Sequence, residues 1–128
     1  SVEKIRLYKE LDAINNEKSI NQLRNNLKDR FGDIPEELEA LFNIVRIRNI
    51  GRKLGFEKII VKNGIMICFF VSNPMSSYFK GKRFGKIIEN INLNQGMFEL
   101  KQKDSSLRMI SRNVGSLNKA LNLLQKLD

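Results

Sequence analysis

The sequence contains no histidine and no tryptophan, a single cysteine and two prolines. Without histidine the chain lacks the commonest general base, the commonest metal ligand and every Ser-His or Cys-His pair. A lone cysteine excludes an internal disulfide and a cysteine-rich zinc site. That residue, Cys68, lies inside the apolar run Ile65-Met66-Ile67-Cys68-Phe69-Phe70, where a small core residue is expected rather than a reactive thiol. One thiol and no covalent staples fit a reducing, cytoplasmic setting. The absence of tryptophan removes the best stacking platform. Neither G-x-x-x-x-G-K-[ST] nor G-x-G-x-x-G occurs, and Gly81-Lys82-Arg83-Phe84-Gly85 fits neither phosphate-binding spacing. No catalytic residue, cofactor or metal is therefore expected. No stretch approaches the about 20 consecutive apolar residues of a membrane span, so no membrane contact is expected. The opening Ser1-Val2-Glu3-Lys4 has neither an initiating Met nor the apolar region of a signal peptide, and a fragment of a longer protein is expected.

What is present suits one domain. The chain has 128 residues, 41% of them hydrophobic and 29% charged, enough for a single core and too patterned for disorder. Its net charge of +9 is uneven. Residues 1–55 carry 11 basic and 9 acidic side chains, whereas residues 56–128 carry 12 basic and 5 acidic. The densest basic cluster is Lys80, Lys82, Arg83 and Lys86, interleaved with Tyr78, Phe79 and Phe84. Basic groups beside aromatic rings can grip single strands, although Phe84 also begins an apolar helical stripe that points to a core role.

The hydrophobic period changes near residue 56. A first helix is predicted from Val2 to Asn15, with Leu7, Leu11 and Ile14 on one face. Ser19-Ile20-Asn21-Gln22 reads as a capping box that opens a second helix. Ile20, Leu23 and Leu27 line its face, Phe31 extends the stripe inward, and Gly32 sits where a C-cap needs positive φ. Asp33-Ile34-Pro35-Glu36 starts a third helix, with Asp33 or Ile34 as N-cap and Pro35 in the first turn. It is predicted to run about twenty residues to Gly55. One apolar face is Leu38, Leu41, Phe42 and Val45; a second is Ile44, Ile47, Gly51 and Leu54. Strands follow at 58–62 and 65–71 around Asn63-Gly64, the strongest short hairpin signal. Phe84, Ile87, Ile88 and Ile91 mark a fourth helix. A second hairpin is predicted from 97–103 and 107–114 across Asp104-Ser105-Ser106. Ser116 caps a last helix through Leu117, Ala120, Leu121 and Leu124. The fold class is α+β: a helical hairpin and long central helix, then a roughly four-stranded sheet with covering helices.

One segment carries a resemblance. Leu27-Lys28-Asp29-Arg30-Phe31-Gly32-Asp33-Ile34-Pro35 follows L-x-D-R-F-G-x-x-P, with Tyr8 in the first helix and Leu54-Gly55 closing the third. Residues 4–56 thereby resemble the C-terminal domain of the bacterial transcription-repair coupling factor. Two positions depart from that family: Lys4 stands where Arg is usual, and Asn26 stands where the motif begins with Glu. The family's two carboxylates on one helix face are thus reduced to Asp29.

The resemblance implies a non-catalytic regulatory domain in a polypeptide that also holds an ATP-dependent DNA translocase. In the family this domain docks on a UvrB-like module of the same chain and masks its UvrA-binding surface. The clamp is released when RNA polymerase and DNA are engaged. Asp29, with Asn26 and Arg30 beside it, is expected at the docking contact. A different account of the residues is that Phe31, Gly32 and Pro35 serve folding and that Asp29 forms a local pair with a nearby Arg. A second functional expectation comes from charge alone: a nucleic-acid-binding module touching DNA through Lys80, Lys82, Arg83 and Lys86.

Overall fold

A computed structural model describes residues 2–128. Its first compact unit ends at Asn49 and its second begins at Ile50, so the third helix runs from one into the other. The order of elements is the expected one, and the fold is α+β.

The first unit is built from α1 (Val2–Ala13), α2 (Glu17–Phe31) and the first four turns of α3 (Glu36–Leu54). Leu11, Ile14, Ile20, Leu23, Phe42 and Val45 are buried together, with Leu7, Leu27, Leu38 and Leu41 packed around them. The expected faces of all three helices therefore meet in one core. Two expectations for α2 change. The cap of α2 is Asn16, whose Oδ1 accepts from the Ser19 N–H at 2.8 Å. Asn16 precedes the helix and satisfies a free donor of its first turn, which leaves Ser19 inside that turn. Phe31 does not pack inward: it is 68% exposed. The apolar spacing continues to Phe31, but α2 ends there, and the residue has no facing helix to cover it. Gly32 follows with φ 84° and ψ −150°, a region essentially reserved for glycine, and its N–H reaches the Lys28 carbonyl at 2.8 Å.

Pro35, not Asp33 or Ile34, holds the N-cap position of α3. Its carbonyl accepts from the Leu38 and Glu39 N–H groups, each at 3.1 Å. The first turn carries Glu36, Glu37 and Glu39 and the last carries Arg52 and Lys53, which complements the helix dipole at both ends. On the second apolar face Ile47, Gly51 and Leu54 are buried, whereas Ile44 is half exposed. The helix stops in a Schellman motif. The Phe56 N–H bonds the Gly51 carbonyl at 2.9 Å and the Gly55 N–H bonds the Arg52 carbonyl at 3.1 Å, with Gly55 at φ 94°.

The second unit holds β1 (Lys58–Lys62), β2 (Ile65–Phe69), a single 3-10 turn (Ser77–Lys80), α4 (Lys82–Leu93), β3 (Glu99–Lys103), β4 (Ser106–Arg112) and α5 (Leu117–Gln125). The sheet is antiparallel in the order β1-β2-β4-β3. Asn63 (φ 53°) and Gly64 (φ 75°) make the first turn with both residues left-handed, as a type I′ hairpin requires. The second hairpin is tighter than expected. Lys103 pairs with Ser106, so only Asp104 and Ser105 form the loop, with Asp104 at φ 58°; β4 takes in Ser106. Asp tolerates that conformation better than most residues.

One sheet face is closed. Met66, Cys68 and Met109 are fully buried and Ser111 nearly so. The end of α3 lies on this side, since a Cβ on Gly51 would stand 2.6 Å from Ile59 Cδ1, and Ile59 is the cross-strand partner of Cys68. Burial pushes the Cys68 thiol up to about 12, so it is a packing residue. At the sheet's end Phe70 meets Phe56 at 4.8 Å and Phe84 at 5.4 Å between ring centroids. Tyr78 joins this cluster and its hydroxyl donates to the Leu54 carbonyl at 2.6 Å. Ser116 caps α5 by accepting from the Lys119 N–H at 3.1 Å.

Gly55 must be glycine for two reasons: its positive φ, and a Cβ that would overlap the Tyr78 ring. Gly55→Ala should lower the urea midpoint by the equivalent of about 3 kcal/mol or more. Gly32→Ala meets no neighbouring atom and should cost less. Tyr78 supplies a pH signature. Its phenol is raised from 10.0 to about 12, chiefly by burial. The unfolded chain therefore ionises it first, and stability falls as pH rises from about 10 towards 12. Tyr78→Phe should flatten that part of the stability–pH curve relative to the parent sequence, as read by denaturant midpoints.

Candidate docking surface

The α1–α2 connection spans only residues 14–16, so the two helices run antiparallel. The start of α1 and the end of α2 then lie at the same end of the hairpin. That end exposes Val2, Ile5, Tyr8 and Phe31 together with Asn26, Asp29 and Arg30. Asn26 and Asp29, three residues apart, share one helix face. Asp29 forms no ion pair among the described residues. Arg30 does not turn to it; its guanidinium lies 5.1 Å from the centroid of the Phe31 ring. The local-pair account of Asp29 is therefore not what the structure holds. Phe31 is the residue that sequence reasoning misplaced. The signal that could have found it is position: the last residue before a glycine terminus has no following turn to share a core with.

Three arginines hold the helices behind this surface. Arg24 reaches from α2 to Glu39 of α3, its Nη2 standing 2.6 Å from Oε1. Arg46 of α3 grips Glu17 of α2, its Nε donating at 3.0 and 3.1 Å. Arg48 does more. Its Nη2 donates to the carbonyls of Leu11, Asp12 and Ile14 at 3.2, 3.2 and 2.9 Å, and its Nη1 to Asp12 Oδ1 at 3.2 Å. The last carbonyls of a helix lack their full set of intrahelical partners, and here one guanidinium from another helix serves those of Leu11 and Asp12 and that of Ile14 just beyond the helix.

The basic cluster of the second unit is laid out differently from its sequence. Lys80 ends the 3-10 turn, Lys82 opens α4, and both are exposed, as is Lys86. Arg83 is turned to Asp128, Nη1 to Oδ1 at 2.7 Å, and Lys53 takes the other carboxylate oxygen at 2.7 Å. These two cations hold Asp128 below the usual carboxylate range, the hydrogen bond from Lys53 being the larger cause. The interleaved rings are engaged with one another: Phe79 and Phe84 stand edge to face at 5.1 Å, and Tyr78 and Phe79 at 5.3 Å.

The architecture is an α+β fold whose helical hairpin leaves one end exposed. Residues 1–80 match the family model described as TRCF domain, and the chain belongs to that family. It is a domain of a transcription-repair coupling factor. A similar curated protein is the transcription-repair-coupling factor of Rickettsia bellii (strain RML369-C), 28% identical over 116 residues. The match takes in 90% of this chain and 10% of the relative, so the chain spans about a tenth of that protein. Among solved structures, the C-terminal domain of transcription-repair coupling factor shares the fold, with a TM-score of 0.78 at 16% identity over 99% of this chain and 80% of that one.

Arg48→Met keeps the apolar stem and removes the donors. The variant should lose about 1–3 kcal/mol. Hydrogen exchange should show the loss first in the amides of α1, with those of the sheet little changed.

Proposed function

We propose that the hairpin end is an intramolecular docking surface. Through it the domain would seat on a UvrB-like module of the parent polypeptide and cover that module's UvrA-binding surface. The observation that carries this reading is Asp29: an exposed carboxylate without an ion partner among the described residues, in the motif of the family and at the same end of α2 as the exposed ring of Phe31. A carboxylate that stabilises nothing within its own domain is free to meet a cation on another. An exposed aromatic at the same helix end offers apolar area of the kind that dominates contact energies. Tethering on one chain supplies a high effective concentration, so the contact need not be strong. With Asn26 in place of a second carboxylate, this chain would offer one charged and one neutral hydrogen-bonding group. UvrA and RNA polymerase would then be partners of the parent in the cytoplasm, with UvrA reached once engagement of RNA polymerase and DNA opens the clamp. Release requires only that another state bind better.

The reading is tested in the parent protein. Asp29→Arg should raise UvrA affinity about tenfold by opening the clamp, and Phe31→Ala should shift it in the same direction. Both positions are exposed, so thermal melting of the domain should hardly change. UvrA affinity equal to that of the unmodified protein in both variants would overturn the proposal.

A further inference from the structure

The second face of the sheet has a pattern that neither the clamp nor the basic cluster explains. Ile60, Ile67 and Ile110 are direct cross-strand partners on β1, β2 and β4, and all three are half-buried. They form an apolar stripe about 10 Å long, running across the strands. One row to one side, about 7 Å along the strands, are Lys58, Phe69, Arg108 and Lys101, paired in that order. One row to the other side are Lys62, Ile65 and Arg112. Lys103 extends the first side along β3. Glu99, paired with Ile110, is the single carboxylate among these strand residues, and it is shared by Lys101 at 3.7 Å and Arg112 at 3.4 Å. Lys58, Lys62, Lys103 and Arg108 have no carboxylate partner among the described residues.

The ring on this face is already occupied. Lys58 Nζ stands 5.4 Å and the Arg108 guanidinium 4.9 Å from the Phe69 centroid. A base would have to displace a cation to stack there. The central residues are aliphatic, which suits side chains better than bases. An apolar stripe bordered on both sides by cations complements a helix with an apolar ridge and acidic flanks. We propose that this sheet face binds an acidic amphipathic helical segment of a protein, laid across β1, β2 and β4 with its apolar ridge on Ile60, Ile67 and Ile110 and its carboxylates meeting Lys58, Lys62, Arg108 and Arg112.

The test uses the 128-residue chain, labelled with 15N, and three probes. Two are helix-forming peptides with one leucine ridge, flanked by Glu in the first and by Lys in the second. The third is a thymidine oligonucleotide. The Glu peptide should move amide resonances of β1, β2 and β4 at sub-millimolar to millimolar concentration, while the Lys peptide leaves them in place. Lys58→Glu with Lys62→Glu should weaken the Glu peptide about tenfold with an unchanged melting curve. If the double variant melts early, Lys62→Glu alone, exposed and unpaired by any described carboxylate, gives the same reading at smaller amplitude. No shifts from the Glu peptide at millimolar concentration, shifts on other elements only, or an equal response to the Lys peptide would overturn the proposal. Tighter binding of the oligonucleotide to these same amides would replace it with a nucleic-acid surface.

Discussion

The carbonyls that end α1 converge on one guanidinium. A helix of twelve residues is marginal by itself in water, and α1 buries only Leu11 within its own span, with Ile14 just beyond. Arg48, rooted in the longest helix, satisfies three backbone acceptors and one carboxylate at the point where α1 stops. The register of α1 on α3 thus depends on a polar contact as much as on apolar burial. The placing of the exposed hairpin end depends on that register in turn. Because the guanidinium is itself largely shielded, with an Nε that finds no partner, the arrangement is one of specific geometry rather than of loose surface charge.

Carboxylates are scarce in the second unit, and the structure uses two of them twice. Asp128 joins Lys53 and Arg83, and Glu99 joins Lys101 and Arg112. The other cations of the unit have no carboxylate partner among the described residues, and the strand alternation gathers many of them onto the open sheet face. The basic excess of residues 56–128 therefore has a location that composition does not reveal. A run such as Lys80 to Lys86 looks dense on paper, yet one of its members is bound within the unit. Lys58 and Arg108, by contrast, are far apart in sequence and meet at the Phe69 ring.

Most of the fold was legible because its signals are local. Asn63-Gly64 can hardly be anything but a left-handed turn, Gly55 marks a terminus, and the stripes of α1, α2 and α5 have helical period. The misreadings share a cause. Ser19, Phe31 and Ile44 each fit a periodic or capping pattern, but a pattern records which side a residue is on and not whether anything stands opposite. Asn16 captured the role given to Ser19. Phe31 lies beyond the reach of the helices that bury Leu27. Strand order and the sheet's outer stripe were out of reach altogether, since pairing β2 with β4 depends on contacts some forty residues apart. Of the candidate docking residues, Asp29 was marked by the motif and its carboxylate, whereas the exposure of Phe31 needed the structure.

The chain's sparse chemistry has a practical side. It has no tryptophan, and its one thiol is sealed beneath the sheet, so the native domain is nearly silent to indole fluorescence and to maleimide. A single tryptophan or cysteine introduced at the hairpin end, or on the open sheet face, would report from that spot alone. Few natural domains allow two surfaces to be watched separately with so little background to remove.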